Sequence, residues 1–510
     1  MAELKSSAFF IWLFYSSTMT LATVRRLLSL LLHPLPASIT ALFLSLLLFD
    51  AFPADSLMYH LPYSARFLHL PGFPDFTNVT EGRYQGFPSL WRILLGPGLA
   101  WYHPRLFIVP NLLALALLVY SCRRFLAISA ALAICCCLTF PVALFGFRSS
   151  LQDFFVNAMV LVASLCLFQP AAEPGADPRP PAWIRRWDLL GLLCLVLAAN
   201  VKFQGLFMAV VVLIATLFFR WRDQSSSRSE PWHPRRGSIV LASLLAVLIF
   251  AQPLLNISRF GNPFYPVRIL GLSGTEPPTS SPIQYLPRLP LLTNAASFVV
   301  SVTEVDPIIR SEAGFSFSRS WHNHNLPRKQ YFPTAPDYPW ILTGGSNGLL
   351  FLALLMGAFL SVFGWRGKLH LPLTPVLILR RRLLITSLLF MVLPQSMELR
   401  YYMSTLFATA LVAVGGDGSR LRQLMRWLVV AGLWFTLVFS FLQPVYFWAR
   451  TGEWISARGL LTPDVFYNLP SEQQCLDKYA LWKGPISKAP DRTSGDVQDA
   501  LACHVRLTKP

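Results

Sequence analysis

The sequence predicts an all-α polytopic membrane protein with about eleven transmembrane helices and extracytoplasmic loops. Of its 510 residues, 54% are hydrophobic and only 13% are charged, whereas roughly a quarter of the residues of an ordinary soluble domain are charged. The apolar residues form runs of about 17 to 25, which is the length that a helix needs to cross a bilayer. The alternating pattern of barrel strands is missing, so helices are expected, because a helix satisfies its own backbone groups in lipid.

Eleven apolar segments are predicted to cross the membrane. They cover residues 27–50, 104–121, 125–146, 151–168, 187–200, 203–219, 238–256, 340–364, 383–397, 401–416 and 427–448. Residues 8–24 are also apolar and precede the pair Arg25-Arg26. For this segment three interpretations stay open: a twelfth helix, an uncleaved signal-like segment, or a mispredicted start with Met19 as the initiator.

The basic residues predict the orientation. The net charge is +18, and arginines cluster in every second loop, at 25–26, 123–124, 185–186, 220–236, 366–382 and 420–426. The short loops between them hold only single cations: Arg148, Lys202 and Arg400. Basic loops remain in the cytoplasm, so the N-terminus is expected there. The transmembrane domain spans 1–448, and loops 51–103 and 257–339 and the tail 449–510 are expected outside. The charge is therefore read as topogenic, and nucleic-acid binding is not expected.

The cysteines divide by their surroundings. Six lie in or beside apolar runs, where a thiol behaves as a small hydrophobic group. Cys475 and Cys503 lie in the polar tail. If that tail faces an oxidising compartment, the two are expected to form a disulfide.

Acidic and aromatic residues gather in the first outer loop, where Asp55 is followed by Tyr59, His60 and later Glu81. A carboxylate beside lipid is expected to be either solvated or functional. The functional interpretation is favoured for Asp55, and solvation at a helix end for Asp50. If this loop is helical, Tyr59 lies on the same face as Asp55 and can orient its carboxylate. Ordinary loop packing is the alternative for His60.

Four segments follow one another on the predicted outer side. They are 55–62 (DSLMYHLP), 87–90 (FPSL), 261–266 (GNPFYP) after the seventh helix, and Arg400-Tyr401 before the tenth. In order and placement they resemble the GT-C superfamily of polytopic glycosyltransferases, especially bacterial members of the glycosyltransferase 39 and ArnT/protein O-mannosyltransferase type. Many relatives carry adjacent Asp and Glu in the first loop, whereas Ser56 follows Asp55 here.

The resemblance implies an enzyme of the bacterial inner membrane that glycosylates an acceptor of the cell envelope. The donor would be a polyprenyl-phosphate sugar, and the acceptor a lipid, a glycan or a protein. Such a transfer needs a base and a cation for the departing phosphate. Asp55 is the expected base, with Asp153 and Glu81 as further catalytic candidates. Tyr59, His60, Lys202, Arg400 and Tyr401 are the expected substrate-binding residues.

Each of these residues also has a plainer interpretation. Asp153 begins the fourth helix, where a carboxylate favours the helix dipole; Lys202 can extend towards the interface; and Arg400 can pair with Glu398. His322 and His324 form a weak metal pattern without a third ligand. Whether a divalent cation takes part stays open.

Two other classes of protein remain. A transporter or lipid-carrier flippase is the alternative, and a polytopic scaffold is a third possibility. Transporters commonly carry broken helices with charges near the membrane midplane. The sequence suggests neither feature, since its acidic residues gather at the predicted outer ends of helices.

Overall fold

The computed structural model describes residues 29–47, 64, 88–100, 104–148, 152–170, 186–226, 236–265, 272, 348–364, 374–393, 402–415 and 419–451. Among these residues the secondary structure is helical, with no strand. The α-helices are α1 (Pro34–Leu47), α2 (Leu90–Ala100), α3 (Val109–Leu126), α4 (Ala130–Leu138), α5 (Pro141–Phe147), α6 (Asp153–Leu167), α7 (Arg186–Val201), α8 (Phe203–Ser226), α9 (Arg236–Ile249), α10 (Ala251–Phe260), α11 (Gly348–Phe363), α12 (Pro375–Leu389), α13 (Met403–Val414) and α14 (Ser419–Thr451). The all-α prediction is thereby confirmed.

Three described helical stretches are long and apolar enough to cross a membrane: Leu106–Leu126, Phe203–Asp223 and Arg420–Val438. Two bent pairs, α4 with α5 and α9 with α10, raise the number to five if each pair counts as one span. Every one of the eleven predicted segments overlaps a helix. An integral membrane protein is therefore supported, and the count of eleven crossings stays a prediction.

Helices α4 and α5 bend by 105°, and α9 and α10 by 51°. This corrects the expectation that broken helices are absent. The first break is held in place by α14, because Thr139 donates its hydroxyl to the carbonyl of Val429 at 2.9 Å and Thr436 donates to the carbonyl of Thr139 at 2.7 Å. The second bond satisfies the Thr139 carbonyl at the break, and the first anchors the Thr139 side chain to α14.

Several helices end together at one end of the helix bundle, which we call the arginine end. Three consecutive arginines of α12 each donate to a carbonyl in the last turn, or at the C-cap, of a different helix. The pairs are Arg380 with Leu126 of α3, Arg381 with Val362 of α11, and Arg382 with Phe168 after α6. Gly415, after α13, also lies against the guanidinium of Arg380. The arginines thus complement the negative ends of four helix dipoles.

This arrangement corrects the assignment of residues 366–382 to a basic loop. Arg380 and Arg382 lie inside α12 and are buried. Burial is tolerated because Arg382 also forms an ion pair with Asp223 of α8 and lies over the ring of Phe219, with 5.1 Å between its Cζ and the ring centroid. Hydropathy alone placed Arg380 and Arg382 outside the predicted spans, because it contains no information about the hydrogen-bond and ion-pair partners that allow their burial.

Replacing Arg382 with methionine is expected to lower the free energy of unfolding by about 3 kcal/mol, because it leaves Asp223 and the Phe168 carbonyl without this partner inside the protein. The measurement is an unfolding titration in mixed detergent micelles, followed by circular dichroism. Arg123→Met is the matched control, since Arg123 lies exposed near the same end of the bundle. An equal loss of stability in both variants would contradict the interpretation.

Candidate functional site

The opposite end of the bundle, which we call the aspartate end, holds an ion pair between two residues that the sequence singled out separately. The ammonium Nζ of Lys202 lies 2.5 Å from the carboxylate Oδ1 of Asp153. The Asp153 side chain is 2% exposed, whereas the Lys202 side chain is 18% exposed. The structure therefore brings together one predicted catalytic residue and one predicted substrate-binding residue, 49 positions apart in the chain.

Local structure positions both partners. Asp153 is the first residue of α6, so its carboxylate lies at the positive end of that helix dipole. Lys202 occupies the single-residue break between α7 and α8, where its N–H donates to the Ala198 carbonyl and its own carbonyl accepts from the Gly205 N–H. A Cβ on Gly205 would lie 2.1 Å from the Ala198 carbonyl oxygen. Glycine at this position therefore permits the tight break that presents Lys202.

Asn111 of α3 holds the end of α5 near the aspartate end. Its side chain donates to the carbonyls of Gly146 and Phe147, at 3.1 and 3.2 Å, so the end of α5 lies level with Asn111. Asn111 is five residues, or about 8 Å, inside the span Leu106–Leu126. From Asp153 to the far end of α6 the helix rises about 22 Å, which is less than the hydrocarbon thickness of about 30 Å. Helix α6 by itself is therefore shorter than a membrane span, and the expectation that Lys202 lies in an outer loop stays a prediction.

Asn157 joins Asp153 to a third helix. Its amide donates to the backbone carbonyl of Asp153 at 2.8 Å and its oxygen accepts from the backbone N–H of Ser404 at 2.9 Å. Ser404 lies in the first turn of α13, just after Tyr402, which is fully buried. Sequence reasoning missed Asn157, although a buried asparagine one turn after Asp153 in an apolar run was a usable signal, since a buried amide requires partners.

Residues 261–265 of the GNPFYP segment form a turn beside α8. Asn256 is fully buried and donates to the carbonyls of Pro263 and Tyr265, at 3.3 and 3.0 Å. Phe264 of the turn stacks on Phe207 of α8 with 5.5 Å between ring centroids. Since Phe207 follows Lys202 by five residues, this predicted family segment packs near the N-terminal part of the helix that begins at the ion pair.

The other predicted residues lie outside the described residues. These are Asp55, Tyr59, His60, Glu81, Arg400 and Tyr401, together with Cys475, Cys503, His322 and His324. Their proposed roles stay predictions. Within the described part of the chain, no group of three or more His, Cys, Asp or Glu side chains is placed to hold a metal ion.

Comparisons with known protein families, with curated proteins and with solved structures find no match to this chain. The candidate site therefore rests on its own geometry. That geometry offers one ammonium and one carboxylate in direct contact, at the N-termini of α6 and α8, with the first turn of α13 linked to Asp153 through Asn157. Such a site is suited to an anion, because the lysine and the helix dipoles both favour negative charge.

Proposed function

We propose that the protein is a glycosyltransferase that moves a sugar from a polyprenyl-phosphate donor to an acceptor on the extracytoplasmic side of the membrane. The observation that carries the proposal is the buried Asp153–Lys202 pair at the aspartate end. Ionisable residues at membrane depth are costly and are retained chiefly where they work. In this proposal the aspartate end lies at the outer membrane interface, where a lipid-borne donor presents its phosphate while its chain remains in lipid.

The roles follow from the charges. Lys202 presents a compact ammonium to a phosphate oxygen of the donor. The acceptor hydroxyl oxygen attacks the anomeric carbon, the bond from that carbon to the phosphate oxygen breaks, and the electron pair remains on the phosphate. The acceptor proton passes to a carboxylate, for which the sequence favours Asp55. The ammonium and the helix N-termini then stabilise the added negative charge on the polyprenyl phosphate.

The orientation belongs to the same proposal. The arginine end, with its clustered cations, faces the cytoplasm of a bacterial inner membrane, and the aspartate end faces outward. Arg124 and Arg222 are exposed. We expect an impermeant thiol reagent applied to intact cells to label cysteines substituted at 81 and 400 and to spare those at 124 and 222. The reverse pattern would overturn the orientation; labelling all four after the membrane is opened controls for reactivity.

A transporter or lipid-carrier flippase is the second candidate, and a specific observation favours it. The described residues contain two bent helix pairs and an ion pair between apolar helices, and both features are common in transporters. In this alternative the Asp153–Lys202 pair would open and close around a translocated anion.

One experiment separates the two candidates. The purified protein is reconstituted into liposomes with a radiolabelled polyprenyl-phosphate sugar and a membrane extract as the source of acceptor. The proposal expects label to leave the polyprenyl lipid and to appear, covalently attached, in the acceptor fraction. Label that remains on the polyprenyl lipid but changes leaflet would support the flippase and contradict the transferase. The mixture without protein is the control.

A further inference from the structure

The ion pair at the aspartate end has one fixed member and one movable member. Asp153 has a short side chain that is almost fully buried, and the residue begins α6, where Asn157 donates to its backbone carbonyl at 2.8 Å. Lys202 lies outside both flanking helices, at the break between α7 and α8, on a flexible four-carbon side chain. Its side chain is also the more exposed of the two, at 18% against 2%. An entering anion therefore meets the ammonium before the carboxylate.

We propose that Asp153 is an internal competitor for the ligand of this site. Without ligand, the Asp153 carboxylate forms the ion pair with the Lys202 ammonium. When the lipid donor binds, its phosphate replaces the carboxylate as the partner of the ammonium. This inference rests on the proposed function, and it adds how the same site is regulated. Asp153 here is a positioning residue, which acts on the ligand through Lys202.

The physical reason is the environment of the lysine. An ammonium without a partner inside a membrane protein is costly, and it would take any available anion, including the phosphate of ordinary membrane lipids. A carboxylate at 2.5 Å stabilises the empty site and lowers its affinity for every anion alike. Weakly held anions then leave the site largely unoccupied, whereas a ligand that makes additional contacts still binds.

The Asp153 carboxylate can lose the Lys202 ammonium as its partner, because the dipole of α6 still stabilises its negative charge. Asp153 stays at the N-terminus of α6, whose dipole favours negative charge there. Lys202 retains its backbone bonds to Ala198 and Gly205 while its side chain moves. The exchange therefore requires only a change of side-chain rotamer, with both helices in place.

The test is equilibrium binding of a polyprenyl monophosphate to the purified full-length protein in nanodiscs of phosphatidylcholine. Three variants are compared with the wild type: Asp153→Asn, Lys202→Met and the double variant. Asp188→Asn is the matched control, because Asp188 forms a similar pair with Arg220, at 2.6 Å, between the opposite ends of α7 and α8. Size-exclusion chromatography and circular dichroism check that each variant folds.

Internal competition predicts opposite effects from the two single variants. Asp153→Asn removes the competitor and lowers the Kd about tenfold, whereas Lys202→Met raises it about 10²-fold. In the Lys202→Met background, Asp153→Asn no longer lowers the Kd, and Asp188→Asn alone leaves the wild-type Kd unchanged. An Asp153→Asn Kd that is equal to or higher than that of the wild type would overturn the inference. The double variant buries no net charge from this pair. Comparing its Kd with that of Asp153→Asn therefore measures the effect of removing the lysine, even where Lys202→Met alone folds poorly.

Two further outcomes identify what has failed. A wild-type protein that binds no polyprenyl phosphate contradicts the proposed function itself, whereas binding that Asp153→Asn fails to tighten contradicts only the internal competition. In a separate arm, millimolar inorganic phosphate competes with the lipid, and we expect it not to displace the lipid. Displacement would show that a soluble anion is the ligand and would overturn the assignment to a lipid phosphate.

Discussion

Lys202→Met is expected to lower kcat/KM for sugar transfer by about 10²-fold, mainly by weakening donor binding. Removing one partner of a buried, hydrogen-bonded charge pair typically costs about 2 to 5 kcal/mol. The lysine contacts the donor phosphate before reaction as well as in the transition state, so a rise in KM is expected to account for most of the loss. The measurement is initial rates over a range of donor concentrations in reconstituted liposomes.

Arg220→Met is the matched control for this variant. It removes the cation of a comparable ion pair, with Asp188, at the arginine end and leaves Lys202 in place. We expect kcat/KM to change by less than about threefold, because this pair lies far from the proposed donor site. If both variants lost transfer equally, the effect of Lys202→Met would be one of stability, and its role in donor binding would be refuted.

Asp55→Asn is expected to lower kcat by at least about 10²-fold with donor binding nearly intact. The substitution keeps the size of the side chain and removes the charge that accepts the acceptor proton, and general-base catalysis is typically worth about 10²- to 10⁴-fold. Transfer kinetics give kcat, and binding of polyprenyl monophosphate gives the affinity. The expected pattern differs from that of Lys202→Met, in which affinity falls first.

Asp50→Asn serves as the control for Asp55→Asn. Asp50 lies in the same predicted loop region, five residues earlier, and its expected role is solvation at a helix end. Transfer by Asp50→Asn is expected to remain within about twofold of wild type, as is usual for a substitution away from the reacting groups. Near-normal turnover in Asp55→Asn would refute its role as the base and leave Asp153 and Glu81 as the carboxylates to test.

The sequence located the helices well because their signal is local. Apolar runs predicted the segments that contain α3, α6, α7 and α13. Asp153 was predicted to begin the fourth helix, and it is the first residue of α6. The position of Lys202 between two helices is confirmed as well. These features depend on composition within one or two turns, so no tertiary information was needed to predict them.

The arginine end shows where local reasoning failed. Hydropathy assigned Arg380 and Arg382 to a loop, because an arginine without a partner is unfavourable in a membrane helix. Their partners are Leu126, Phe168 and Asp223, which lie far away in the sequence. The broken helices were missed for a similar reason, because the partners of the break at Thr139 belong to α14, far away in the sequence. The Val429 carbonyl accepts from the Thr139 hydroxyl, and the Thr436 hydroxyl donates to the Thr139 carbonyl.

By itself, the sequence indicated a helical protein with apolar segments suited to a membrane, and it singled out Asp153 and Lys202 separately as candidate functional residues. These inferences depend on composition and on short-range spacing. Only the tertiary structure decided that the two residues form one ion pair, linked through Asn157 to α13. The physical reason is that hydrophobic burial specifies which residues enter the membrane without specifying which polar groups meet there. That choice is made by the packing of α6, α8 and α13 and by the requirement that each buried charge find its partner.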